Sequence, residues 1–133
     1  MQALSLTPQP LTEEAFAAFG DVIEARSDTV ININQGTSQR FHDRARVDVA
    51  FGEGYPLVNI FRASPYPEPL TLSLMEKHPL GSHLFMPLQQ HAYLVAVAQT
   101  SDQVSAGDIT VFSANGNQGV NFQPGTWHHP LLV

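Results

Sequence analysis

Apolar residues in this chain fall in short runs that turn residues interrupt before any reaches the length of a long helix. Runs at 21–25, 30–34, 46–51, 57–63, 70–76, 83–86, 92–98, 108–114 and 119–122 alternate apolar with polar positions or are briefly apolar throughout, and both patterns predict strands. Strands spaced so closely predict a sandwich or barrel, mainly antiparallel. One segment breaks the pattern. Thr12 is a good N-cap, Glu13 and Glu14 suit the positive end of a helix dipole, and Ala15, Phe16, Ala18 and Phe19 form an apolar side that Gly20 can close. A single short N-terminal helix of about two turns is therefore predicted.

Prolines and glycines sit mostly between the runs. Asn115-Gly116, between Val111-Phe112 and Val120, carries the strongest short hairpin signal. The three prolines within 63–69 predict a stiff connection between strands, and the polar stretch 99–107 a surface loop. A length of 133 residues fits one domain, so residues 1–133 are expected to fold as a single unit.

A formal charge of -6 with scattered basic residues argues against nucleic acid or an anionic membrane as partner, since both demand clustered Lys and Arg. Only 14% of residues are charged, a sparseness that favours self-association. Cysteine is absent, which removes disulfides, thiolate ligands and a Cys nucleophile. The N-terminus shows no basic start followed by an apolar run, and no stretch reaches membrane-span length, so a soluble cytoplasmic protein is expected.

Candidate chemistry concentrates in three places. Near the end, Pro124-Gly125-Thr126-Trp127-His128-His129-Pro130 sets two imidazoles and an indole directly after a turn. Neighbouring side chains of an extended segment point to opposite faces, so only one of His128 and His129 can face a cavity. The segment reads either as a small-molecule site at a barrel mouth or as a turn with a core Trp and a satisfied His. In the second place, an extended 72–78 would put Glu76 and His78 on one face with Leu72 and Leu74. Burying that carboxylate and imidazole requires that they pair with each other, a metal or a substrate; the competing reading is an outward pair at a strand end. Third, Arg62 shares a face with Val58 and Ile60, opposite Asn59 and Phe61. Its guanidinium sits either at the inner mouth, suited to bidentate binding of a carboxylate, or at the rim in solvent. Arg40, His42 and Asp43, after the Asn34-Gln35-Gly36 turn, read as a surface network or interface. No Gly-x-Ser-x-Gly elbow supports Ser-His-Asp hydrolysis.

Taken together, Ile33-Asn34-Gln35-Gly36 with Arg40-Phe41-His42-Asp43, Glu76-Lys77-His78-Pro79-Leu80-Gly81, Phe85-Met86-Pro87, Asn115 through Asn121 and Trp127-His128-His129-Pro130 resemble the ureidoglycolate lyase family, as does the opening Leu11 to Ile23. The resemblance implies a cupin-like β-barrel, a homodimer, and a carbon–nitrogen (amidine-type) lyase that splits ureidoglycolate into glyoxylate and urea in allantoin breakdown. Family members continue past Trp-His-His-Pro with further strand, so the resemblance also implies that a C-terminal strand of the family is missing from this chain.

The resemblance further implies site residues. Glu76 and His78 would act as base and acid, with His128 as the inward imidazole. Arg62 would hold the substrate carboxylate, and Trp127 and Asn121 would contact the substrate. By analogy with the cupin ligand pattern, Glu76, His78, His83 and His128 would hold a divalent metal, with nickel as the family's implied ion. Readings from other classes are a non-catalytic cupin that binds a small carboxylate, and a metal-dependent isomerase or dioxygenase.

Overall fold

The computed structural model describes residues 4–100 and 103–133. Residues 1–3, and Ser101 and Asp102 of the expected surface loop, lie outside the described residues. Thr12 is extended, and its hydroxyl accepts the Ala15 N–H at 3.1 Å, which starts helix α1 (Glu13–Phe16) where the cap pattern places it. The helix is one turn rather than two. Gly20 does not cap it but opens strand β2 (Gly20–Ile23) at φ 153°, where an added Cβ would lie 1.9 Å from the Asn121 main-chain oxygen. That close approach lets β2 pair antiparallel with β8 (Gly119–Phe122), Gly20 opposite Phe122. Among the described residues no helix is long and apolar enough to cross a membrane.

Among the described residues the strands form separate sheets that do not close into a barrel. A four-stranded sheet runs β1 (Gln9–Pro10), β7 (Ile109–Ala114), β6 (Tyr93–Ala98), β9 (Trp127–His128). A three-stranded sheet runs β2, β8, β5 (His83–Phe85), and β3 (Val30–Ile33) pairs with β4 (Ser38–Phe41) as a ribbon. All pairings are antiparallel except β1 with β7, where Pro10 occupies an edge strand that tolerates its missing N–H. The main core lies between the two larger sheets: Tyr93, Val95, Val97 and Phe112 from one meet Val22, Val120 and Phe122 from the other, with Phe16 fully buried among them. Phe16 and Phe112 meet edge to face at 5.4 Å. The alternate residues Ala96 and Val111 turn to the other side of the four-stranded sheet, where Leu132, Leu70 and Leu72 cover them. Period-two alternation thus serves two cores at once.

Three predicted strands are not observed as strands. Residues 46–51 and 57–63 have no paired neighbour among the described residues, and Val58 and Ile60 are 95% and 74% exposed. Residues 46–48 are held instead by point contacts: the Arg46 N–H donates to Asp21 Oδ2 at 2.8 Å and the Ser82 N–H to the Asp48 carbonyl at 2.9 Å. Alternation states which faces a strand would have, but a strand exists only where a second one accepts its hydrogen bonds. Residues 70–76 pair only at their end, through Glu76. Leu72 packs on the outer core and Leu74 is exposed, so the expected shared face of Leu72, Leu74, Glu76 and His78 is not formed.

The Asn115-Gly116 hairpin is likewise corrected. β7 and β8 belong to different sheets, and Gly116 is absent from the positive-φ positions that a tight hairpin turn would require. An added Cβ at Gly116 would instead lie 2.4 Å from the Gln90 carbonyl carbon. The corner is held by Gln118, whose buried side chain donates to the Leu11 carbonyl and to Glu24, both at 2.9 Å. The Gln118 carbonyl accepts the Tyr93 hydroxyl at 2.6 Å, and burial pushes that phenol up to about 12. The true tight turn is Asn34-Gln35-Gly36, where all three residues have positive φ. Gly116→Ala should therefore destabilise the fold by about 1–3 kcal/mol, as overpacking does. Gly107→Ala, which meets nothing within 4 Å, should be close to neutral in the same denaturant titration. Equal losses at the two sites would rule out the Gln90 contact as the cause.

Candidate active site

Pro124 and Gly125 form the central pair of a turn that the Thr126 N–H closes on the Gln123 carbonyl at 3.2 Å, with Gly125 at φ 82°. Pro followed by a positive-φ Gly is the type II arrangement, and it sets the phase of β9. His128 pairs with Val97 of β6 on one side and with Glu76 on the other. The Glu76 N–H donates to the His128 carbonyl and the His128 N–H to the Glu76 carbonyl, both at 2.8 Å, while the Gly125 N–H donates to the His78 carbonyl at 2.9 Å. These bonds bring the otherwise irregular segment before residue 79 alongside β9.

Three imidazoles meet there. His78, His83 on β5 and His128 on β9 present ring nitrogens that all lie within 4.8 Å of one another, and the Nδ1 atoms of His78 and His83 are 3.3 Å apart. Glu76 Oε1 lies 3.5 Å from His128 Nε2. His83 belongs to one sheet and His128 to the other, so the group spans the mouth of the main core. Phe122 stacks on His128 at 4.3 Å with ring planes 8° apart, and Phe85 lies 4.4 Å from His83. Phe85 and Phe122 carry no polar group to draw notice in the sequence, yet they are the walls against which two imidazoles are set. Alternation from Asn121 was the available signal.

The protonation of His128 follows from its neighbours. Its Nδ1 faces the Thr126 carbonyl at 3.0 Å, an acceptor, so Nδ1 carries the proton and Nε2 keeps a lone pair. Nε2 is buried and has no hydrogen-bond partner among the described residues. A carboxylate oxygen at 3.5 Å from that lone pair is repulsive unless a proton or a cation stands between them. Burial lowers the His128 pKa, and the Thr126 and Glu76 contacts oppose this only in part. His83 is also lowered, first by burial and then by the His78 and His128 rings beside it. Neutral imidazoles with free lone pairs are the form that binds a divalent ion, so the donor set fits the metal expected from the sequence.

The expected site residues divide between faces. Glu76, His78, His83 and His128 come together. The Glu76 side chain remains 46% exposed, so the burial expected for it is not observed. Trp127, next to His128, turns to the opposite face, where Lys77 Nζ sits 4.8 Å from its ring centroid. Asn121 also turns away: it pairs with Leu84, whereas its neighbour Phe122 pairs with His83. Its side chain reaches Asp21 and the Arg46 carbonyl, on the outer side of the three-stranded sheet. Arg62 is exposed and makes no ion pair among the described residues, while Phe61 before it contacts Phe85 at 5.9 Å and so brings the segment beside β5. His129 is buried with its ring edge-on to Tyr66 at 5.7 Å. Arg40 contacts His42 at 2.8 Å in an exposed pair, as a surface network would.

Comparison with known proteins now decides the family. The sequence model described as ureidoglycolate lyase matches residues 3–133. The chain belongs to the ureidoglycolate lyase family. Among curated relatives, the ureidoglycolate lyase of Burkholderia mallei (strain NCTC 10229) is 49% identical over 133 residues, covering 100% of this chain and 76% of the relative. That of Brucella anthropi is 48% identical over 133 residues, covering 100% of this chain and 78% of the relative. That of Pseudomonas fluorescens (strain Pf0-1) is 46% identical over 129 residues, covering 97% and 77%. In this member of the ureidoglycolate lyase family the imidazole group is therefore the natural place to seek the chemistry.

Two outcomes follow. Because the folded pKa of His83 and of His128 lies below the ordinary 6.5, the unfolded chain binds more protons than the folded one just below that pH. Stability is therefore full above 6.5 and falls as pH drops below it. His83→Gln should flatten that fall in a pH series of denaturation midpoints, and an unchanged slope would contradict the assignment. Nickel or zinc should stabilise the wild-type chain by about 2.7 kcal/mol at a hundredfold excess over Kd, read as a raised denaturation midpoint, and should do so far less in His78→Ala.

Proposed function

We propose that this chain is a ureidoglycolate lyase, releasing urea from ureidoglycolate to leave glyoxylate, with the imidazole group and Glu76 as its chemical centre. Family membership and relatives at 45% to 49% identity support the activity. The observation that carries the placement is the unpaired Nε2 of buried His128 facing the Glu76 carboxylate across 3.5 Å, beside two more imidazoles.

The reaction is a retro-addition. Glu76 takes the hydroxyl proton, the oxygen's electrons form the aldehyde C=O, the carbon–nitrogen bond breaks, and His78 delivers a proton to the departing urea nitrogen. Both proton transfers take place at positioned groups, an effect worth about 10²–10⁴-fold. A divalent metal, with nickel as the ion expected from the family, would be held by His78, His83 and His128 with Glu76 alongside, a role that competes with the acid–base one, because a liganding nitrogen of His78 carries no proton to deliver. It would supply Lewis-acid polarisation of a substrate oxygen. Arg62 would bind the substrate carboxylate: its guanidinium makes no ion pair among the described residues, and the Phe61 contact anchors its segment next to β5. Trp127 would stiffen β9 from behind, under Lys77.

The reading extends to a single cupin-like domain, its two sheets flanking the site, working as a cytoplasmic homodimer in purine-nitrogen breakdown. The exposed Val58 and Ile60 suit a subunit contact.

Release of urea and glyoxylate, followed with and without chelator, tests the proposal. Glu76→Gln should abolish turnover while the chain stays folded. Metal content of the same variant separates the two roles of Glu76, because a base leaves it unchanged and a ligand lowers it. Arg62→Lys keeps the charge but loses the planar fork, so KM should rise with stability unchanged. A wild-type KM in that variant would remove Arg62 from the site.

A further inference from the structure

We propose that the outer face of the three-stranded sheet carries a second binding site, for a small molecule that joins a planar N–H donor cation of the guanidinium or amidinium class to a carboxylate. A pocket of about 420 Å³ opens there, lined by Asp21, Arg46, Asp48, Asn121 and Gln123 among others, a size usual for small-ligand pockets. It is separate from the imidazole group, because Asn121 and Phe122 are neighbours on β8 and point to opposite faces.

Asn121 supplies the decisive detail. The residue is 1% exposed, and its Nδ2 donates to Asp21 Oδ2 at 3.1 Å and to the Arg46 carbonyl at 2.8 Å. Both partners are acceptors, so the carboxamide cannot be turned over. Its Oδ1 is therefore the atom left buried without a partner among the described residues. A buried amide oxygen is costly unless a donor reaches it.

The charges around it are arranged for a donor. Asp21 Oδ2 also accepts the Arg46 N–H, and Asp48 Oδ1 accepts the Ala50 N–H, which leaves the second oxygen of each carboxylate without a donor among the described residues. Arg46 lines the same pocket and is exposed, yet makes no ion pair with either carboxylate. Two carboxylates and a guanidinium held apart in one pocket call for a ligand with the opposite arrangement. N–H donors would meet Asn121 Oδ1, Asp21 and Asp48, while a carboxylate would meet Arg46. A planar fork of donors matches carboxylate and carboxamide oxygens better than a point charge does.

Guanidinoacetate is a suitable probe, titrated into the full chain by calorimetry while the Asn121 side-chain amide is followed by NMR. Saturable binding at one site is expected, with the Asn121 resonance shifting and with acetate or guanidinium chloride alone binding far more weakly. Asn121→Ala should abolish binding. Because that residue is buried, the exposed Arg46→Gln provides the second test and should weaken binding at least about tenfold, while His78→Ala should bind as the wild type does. The proposal is overturned if no saturable binding occurs, if Arg46→Gln binds as tightly as the wild type, or if His78→Ala loses binding, which would put the probe in the imidazole group.

Discussion

The reciprocal hydrogen bonds between the Glu76 and His128 backbones organise the candidate site. They join a segment with no other ladder to the edge of the four-stranded sheet, and the Gly125 bond to the His78 carbonyl continues the seam. Without them Glu76 and His78 would hang from a loop that has its next strand only at β5. With them, one carboxylate and two imidazoles share a rim, and β5 contributes the third imidazole from the facing sheet. The site is thus a product of sheet-to-sheet packing. Its geometry depends on the aromatic core that holds the sheets together, through Phe122 under His128 and Phe85 beside His83.

That placement sets the electrostatics. His128 has one nitrogen committed to a backbone carbonyl and the other aimed, buried, at a carboxylate. The arrangement is satisfied by a proton or by a metal ion, and burial disfavours the proton. Both options serve the family's reaction, in which a hydroxyl proton must leave and a nitrogen must be protonated. The exposure of Glu76 leaves that carboxylate open to whatever enters from solvent.

The parts of the fold legible in the sequence were those with a local cause. Thr12 caps a helix because a hydroxyl one turn away can reach Ala15 N–H, and β6 reads as an unbroken apolar run because its two faces enter two cores. The Pro124-Gly125 turn follows from the backbone preferences of two residues; alternation then left one of His128 and His129 to face inward, and the structure puts His128 on the side of Glu76. Where the cause was a distant partner, the pattern misled. Residues 46–51 and 57–63 alternate as strands do but have no strand to pair with among the described residues. Asn115-Gly116 turns a corner between sheets where the Gln90 backbone presses on Gly116 and Gln118 ties the chain to Leu11, which no short-range signal could convey.

The same division runs through the candidate chemistry. Sequence alone determined that Glu76, His78, His83 and His128 were the residues to watch, that the chain is mainly β with one short helix, and that the whole resembles one enzyme family. Tertiary structure alone decided that these four converge while Trp127 and Asn121 turn to other faces, and that Arg62 lies exposed at the margin. The physical reason is that a strand's period of two assigns relative faces within a strand, whereas which face looks toward which neighbour is set by packing between sheets. The orphaned oxygen of Asn121 belongs to that second kind of fact, since its donors and acceptors come from residues that only the fold brings beside it.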